Sequence, residues 1–264
     1  MPREWSHFSY REEGGVGTVT FDRPGDLNEL AFEVFRDVRD LADELQGRGD
    51  EVRVVVLRGA GAGFCSGGDA ELILTGLGEA DPRDVYDFAQ VTGACVRNLR
   101  RLPQPVVAAV NGLAAGAGAV LAMACDLRLL AERARFQFLF TRIGITGGDT
   151  AVCWLLPRLI GLGRASELLM LNEGIDSETA LEFGIANRVV PDQALEGALE
   201  DYLERLLAAA PAGLAMTKDL LQRAVAEDTV EEFEGWTESL PMTRSEFGEF
   251  RAGFTGRRRP STAP

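Results

Sequence analysis

A single histidine, His7, occurs among the 264 residues. Histidine-based triads and His-rich metal sites are thereby excluded, and proton transfer falls to carboxylates, Tyr, Lys or Cys. Cysteine is also scarce. Cys65, Cys95, Cys125 and Cys153 have no CxxC pair among them, which reads as reduced buried thiols and not as a disulfide framework or a metal centre. No long apolar run is present: the longest, Leu113 to Cys125, is broken by Gly116 and Gly118 and is too short to span a bilayer. The opening MPREWSHFSYREEGG has no apolar core, so a secretory signal is not expected and a cytoplasmic location is. Positive charge is in deficit. The net charge of −14 argues against nucleic-acid partners, because phosphate backbones are held by Lys and Arg. Nor is there a GxxxxGK[ST] string, and Gly116-Ala117-Gly118 lacks a third glycine at the dinucleotide-binding spacing.

Hydrophobic residues at 46% and charged residues at 26% describe an ordinary folded chain, long enough for one large α/β domain with or without a helical appendage. Val16 to Phe21 alternates apolar with small or polar residues, and Val52 to Leu57 is a β-branched run; both read as strands. Between them Leu30, Val34, Val38, Leu41 and Leu45 recur at helical spacing over Glu29 to Leu45. The cycle repeats: a helix over Asp84 to Leu102, a strand over Pro105 to Val110, a small-residue turn from Asn111 to Gly118, a short helix over Ala119 to Ala124, and a strand over Leu127 to Leu130. This alternation predicts a largely parallel sheet with ligand-binding turns at strand carboxyl ends. From Thr150 onward the pattern is helical, with one brief strand signal at Asn187 to Val190.

Two glycine-bearing turns follow predicted strands: FCSGGD, 64 to 69, and NGLAAGAG, 111 to 118. Small residues let backbone N–H groups approach a ligand, and the second turn runs into a helix whose positive end favours an anion. Two such turns would cup one oxygen, a powerful device for an enzyme acting on a carbonyl. The same glycines would also serve simple tight turns and close helix packing.

At these turns the sequence resembles the crotonase (enoyl-CoA hydratase/isomerase) superfamily. The segment PQPVVAAVNGLAAGAGAVLAMACDLRLLAERARF, 103 to 136, is similar to one family signature, and FCSGGD to the other, F-x-x-G-x-D. FDRPGDLNEL, LLPRLIGLGRASELLM, ALEFGIANRVVP and FRAGFTGRRRP extend the likeness over nearly the whole chain in the right order. The resemblance implies an α/β fold, a spiral of ββα units over 1–200, followed by a helical trimerisation region over 201–264, assembled as trimers or dimers of trimers. It implies an acyl thioester of coenzyme A as substrate, with no separate cofactor and no metal. The thioester oxygen would be held by the N–H groups of Gly68 and Ala117. Coenzyme A would lie against the turn from Arg23 to Leu27 and against Ser66, Gly67 and Asp69. Arg257 and Arg258 join that set as phosphate contacts, or form a solvated tail.

The likeness breaks where hydration chemistry needs two glutamates. The first aligned position is Val120 and the second is Phe140, and neither side chain transfers protons. The nearest carboxylate is Asp149, in a Gly- and Thr-rich loop beside these apolar residues, where its pKa would rise to suit an acid/base. It also stands where an N-cap would, before a helix expected over Thr150 to Leu159. Arg142 and Thr146 flank the same pocket with Val120 and Phe140, and Trp154 is a further candidate for its wall. Three readings follow: a hydratase/isomerase working with one carboxylate, a crotonase-type decarboxylase, C–C hydrolase or ring-opening enzyme in which Arg142 binds a substrate carboxylate, and a catalytically silent acyl-CoA-binding member.

Overall fold

The computed structural model describes residues 5–68, 81–148 and 150–225. β-branched runs become strands where both faces can be covered. Strands β2 (Val16–Phe21), β3 (Val54–Gly59), β4 (Val106–Val110), β6 (Leu127–Ala131) and β9 (Arg188–Val190) pair in parallel, and β1 (Ser9–Glu13) adds antiparallel to β2 at one edge. A second sheet of three short strands joins β5 (Leu113–Ala115) to β7 (Arg135–Gln137) in parallel and β7 to β8 (Gly174–Asp176) in antiparallel fashion.

Alternate residues of the large sheet serve two different cores. Val55, Leu57, Val106, Ala108 and Val110 face helices α1 (Phe32–Leu45) and α2 (Pro82–Arg101). Val54, Val56, Val107, Ala109 and Leu129 face the other way, onto Leu195, Ala198 and Leu199 of α7 (Leu195–Ala208). α7 therefore runs across residue 200 while packed on the sheet. Helix α2 begins earlier than its apolar spacing predicts, because Asp81 caps it by accepting from the N–H groups of Arg83 and Asp84 at 2.8 and 3.0 Å and Pro82 fits the first turn.

The short apolar helix α3 (Ala117–Ala124) also starts two residues before its expected beginning, and every one of its residues is buried. Part of the preceding small-residue turn is in fact strand β5. The helices α4 (Val152–Ile160), α5 (Leu162–Leu171) and α6 (Ser177–Phe183) follow, then α7 and α8 (Pro211–Val225). Asp126 ties α8 to the sheet: its carboxylate accepts from the Val106 N–H at 2.8 Å and from Lys218 Nζ at 2.7 Å. No helix among the described residues is long and apolar enough to cross a membrane.

Candidate active site

The two glycine-bearing turns meet. Cys65 forms a parallel bridge with Ala114, the N–H groups of Phe64 and Cys65 donate to Leu113 O, and the Cys65 carbonyl accepts from the Ala115 N–H at 2.9 Å. Gly67, at φ +90°, comes so close that a Cβ there would lie 2.6 Å from Ala115 O and 3.3 Å from Ala117 N. Only glycine tolerates both that φ and that approach.

This contact leaves two amide donors side by side. Ala117 is the first residue of α3, so its N–H has no acceptor within the helix and lies at the positive end of the helix dipole. Leu30 pairs with Gly68 through the Gly67 carbonyl, at 2.7 Å, so the Gly68 N–H is not spent on that bond. Among the described residues, neither the Gly68 nor the Ala117 N–H has a hydrogen-bond acceptor. Two backbone donors without acceptors, one of them at the start of a buried helix, are suited to an oxygen that gains negative charge.

The Arg23 to Leu27 turn lies against Ser66. The Ser66 N–H donates to Leu27 O at 2.9 Å, and Ser66 Oγ donates to Asp26 O at 3.3 Å. Arg23 is exposed, with its guanidinium 3.1 Å from Asp26. The residue that holds the turn was not singled out from the sequence. Asn28 is buried at left-handed φ +60°; its Oδ1 accepts from the Arg23 N–H at 2.8 Å, and its Nδ2 reaches the carbonyls of Ala60, Gly63 and Phe64 at 2.9, 2.9 and 3.2 Å. One amide thus staples the Arg23 to Leu27 turn to the strand of chain that leads into Gly67 and Gly68. An Asn beside Leu in LNEL was the available signal, since Asn tolerates left-handed backbone, but its acceptors lie more than thirty residues away.

The two residues expected at the acyl end are apolar and buried. Val120 and Phe140 are 1% and 5% exposed and belong to the same core. The Phe140 ring packs on Gly147, at φ +66°, where a Cβ would lie 2.7 Å from two ring carbons and 2.8 Å from Val152. The loop that follows is tied to its own backbone: the Gly148 N–H donates to Thr146 Oγ1 at 3.1 Å and Thr150 Oγ1 donates to Gly147 O at 2.9 Å. Thr146 and Arg142 are exposed, and the Arg142 N–H is engaged by Asn172 Oδ1 at 2.9 Å. Asp149, Asp69, Arg257 and Arg258 lie outside the described residues.

One expectation changes. The residue before α4 is Ala151, at left-handed φ +61°, and α4 begins at Val152, so the N-cap position falls two residues after Asp149. Trp154 is buried. Its ring is held by the guanidinium carbons of Arg158 and Arg100, at 4.2 and 5.0 Å, where α4 meets the end of α2. Among the described residues no group of three or more His, Cys, Asp or Glu is placed to hold a metal ion.

Residues 11–260 match the family model for enoyl-CoA hydratase/isomerase. The chain is 33% identical to the 1,2-epoxyphenylacetyl-CoA isomerase of Escherichia coli (strain K12), over 94% of this chain and 95% of that one. It is 30% identical to the short-chain-enoyl-CoA hydratase of Clostridium acetobutylicum, over 85% and 84%. The crystal structure of an enoyl-CoA hydratase from Mycobacterium avium subsp. paratuberculosis K-10 superposes with a TM-score of 0.82 at 29% identity, over 98% of this chain and 99% of that one. With a parallel-dominated α/β sheet, paired donor turns and a family match over nearly its full length, the chain belongs to the enoyl-CoA hydratase/isomerase family and is an enzyme of that type.

Proposed function

We propose that this enzyme isomerises an acyl thioester of coenzyme A by way of an enolate held between two amides, with one carboxylate moving the proton. The observation that carries the reading is the pairing of buried Val120 and Phe140 with intact donor turns. By resemblance these are the positions of the two hydratase glutamates. Polarisation of the thioester is thus retained at one end, while the groups that activate and deliver water have no counterpart at the other. The identity to an isomerase of an aromatic-derived acyl-CoA supports the same direction.

The Gly68 and Ala117 N–H groups would receive the thioester oxygen, lowering the cost of removing an α- or γ-proton. Asp149 would take that proton and return it to another carbon of the same enolate, which is why one carboxylate suffices. Coenzyme A would lie along the Arg23 to Leu27 turn and Ser66, with Arg257 and Arg258 on its phosphates; no separate cofactor enters the reaction.

Asp149→Asn is expected to abolish double-bond isomerisation across a panel of acyl-CoA esters followed by mass spectrometry, while ester binding survives. Undiminished turnover in that variant sinks the assignment. A trimer or hexamer belongs to the same proposal, supported by exposed Met216, Leu220 and Leu221 on α8 and Leu162, Met170 and Leu171 on α5. Light scattering that returns a monomer removes it.

A further inference from the structure

Behind the two donor amides lies one side chain that the proposed chemistry does not use. Cys65 is completely buried and lies where the two turns join, paired through its own N–H and C=O with Leu113 and Ala115. Its Sγ accepts from the Gly67 N–H at 3.4 Å, so the residue immediately before Gly68 rests on the sulfur. From the other turn Gly118, the residue immediately after Ala117, approaches until a Cβ on it would lie 2.7 Å from the same Sγ and 2.8 Å from the Cys65 Cβ. The chain neighbour of each donor therefore touches one thiol.

We propose that Cys65 is a positioning residue for the oxyanion hole, its thiol setting the separation of the Gly68 and Ala117 N–H groups by bracing Gly67 and Gly118 together. This rests on the assignment of those amides to the thioester oxygen. Size and chemistry both suit the role. Sulfur is a large, soft acceptor that fills the gap between the turns and still receives an N–H at a distance too long for a good oxygen contact. Burial pushes the thiol up to about 12, so it stays neutral and places no charge behind an oxygen that becomes negative. The geometric tolerance is narrow, because a misplacement on the order of 1 Å costs roughly 100-fold in rate.

The test binds cinnamoyl-CoA, a chromophoric thioester, and reads the red shift of its absorption, which reports polarisation of the carbonyl and is insensitive to how stably the chain is folded. Wild type shows the shift. Cys65→Ala removes the acceptor and the bulk and is expected to lose more than half of it, with the Kd of the ester changed by less than about threefold. Cys65→Ser, which restores an acceptor on a shorter bond, falls between the two. A wild-type shift in Cys65→Ala, or a Cys65→Ser shift no larger than that of Cys65→Ala, overturns the inference. If Cys65→Ala does not fold, Cys65→Ser decides alone: a reduced shift upholds the bracing and an unchanged one overturns it. Absence of any shift in the wild type instead overturns the assignment of the two amides to the thioester oxygen, and the failures are thus told apart.

Discussion

The two ends of the site are built from different materials. The end assigned to the thioester is made of main chain: the Gly68 and Ala117 amides, in turns where Gly67 and Gly118 leave no room for a side chain. The end assigned to the acyl group is made of side chains, Val120 and Phe140, packed into the common core. Backbone donors survive substitution as long as the turn survives, because the N–H does not depend on the side chain. Side chains change singly. On the proposed reading, the difference accounts for a chain that keeps a thioester-polarising device without the pair of acids that completes hydration.

The sharpest way to break this contrast is at Gly67. Gly67→Ala forces a Cβ into a left-handed backbone and to within 2.6 Å of Ala115 O, so the turns must part. Loss of even one oxyanion donor costs on the order of 100- to 1,000-fold in turnover, and steady-state kinetics on an accepted acyl-CoA is expected to show at least that fall. Phe140→Ala tests the other end. It removes a buried ring and is expected to cost roughly 3 kcal/mol of stability by urea unfolding, while the ester's red shift persists because no donor moves. A lost shift would mean that the two ends are not separable.

A third effect is set by pH. Burial raises the Cys65 and Cys125 thiols to about 12, whereas the unfolded thiols ionise near 9. Their folded-state pKa values are the higher ones, so the stability they contribute is fully present below about pH 9 and is lost as pH rises toward 12. Each is expected to add a slope of up to about 1.4 kcal/mol per pH unit in that window. Cys125→Ser should flatten the decline in urea midpoint; an unchanged slope would show that the thiol is not the titrating group.

How much of this was legible in the sequence follows from the range of the interactions. Strands β2, β3, β4 and β6 declare themselves because β-branched and aliphatic residues run where both sheet faces are covered. β5, β7 and β8 are three residues each and carry no periodicity, so Leu113–Ala115 reads as part of a turn. β1 is half exposed and polar, and its strand state depends on pairing with β2. The donor turns were readable because glycine spacing is local. Asn28 was not, because its meaning lies in three carbonyls brought near by the fold.

One feature of the sheet bears on how the enzyme meets its ligand. All five residues of β4 are buried, with strands on either side of it and helices over both faces. Its amides are therefore among the last in the molecule to exchange with deuterated water, since they open only with the whole domain. The chain leaves that strand at Val110 and reaches Ala117 seven residues later, so one of the two amides proposed to grip the oxygen hangs from a strand expected to open late. Little ordering entropy would then be lost there on binding an ester.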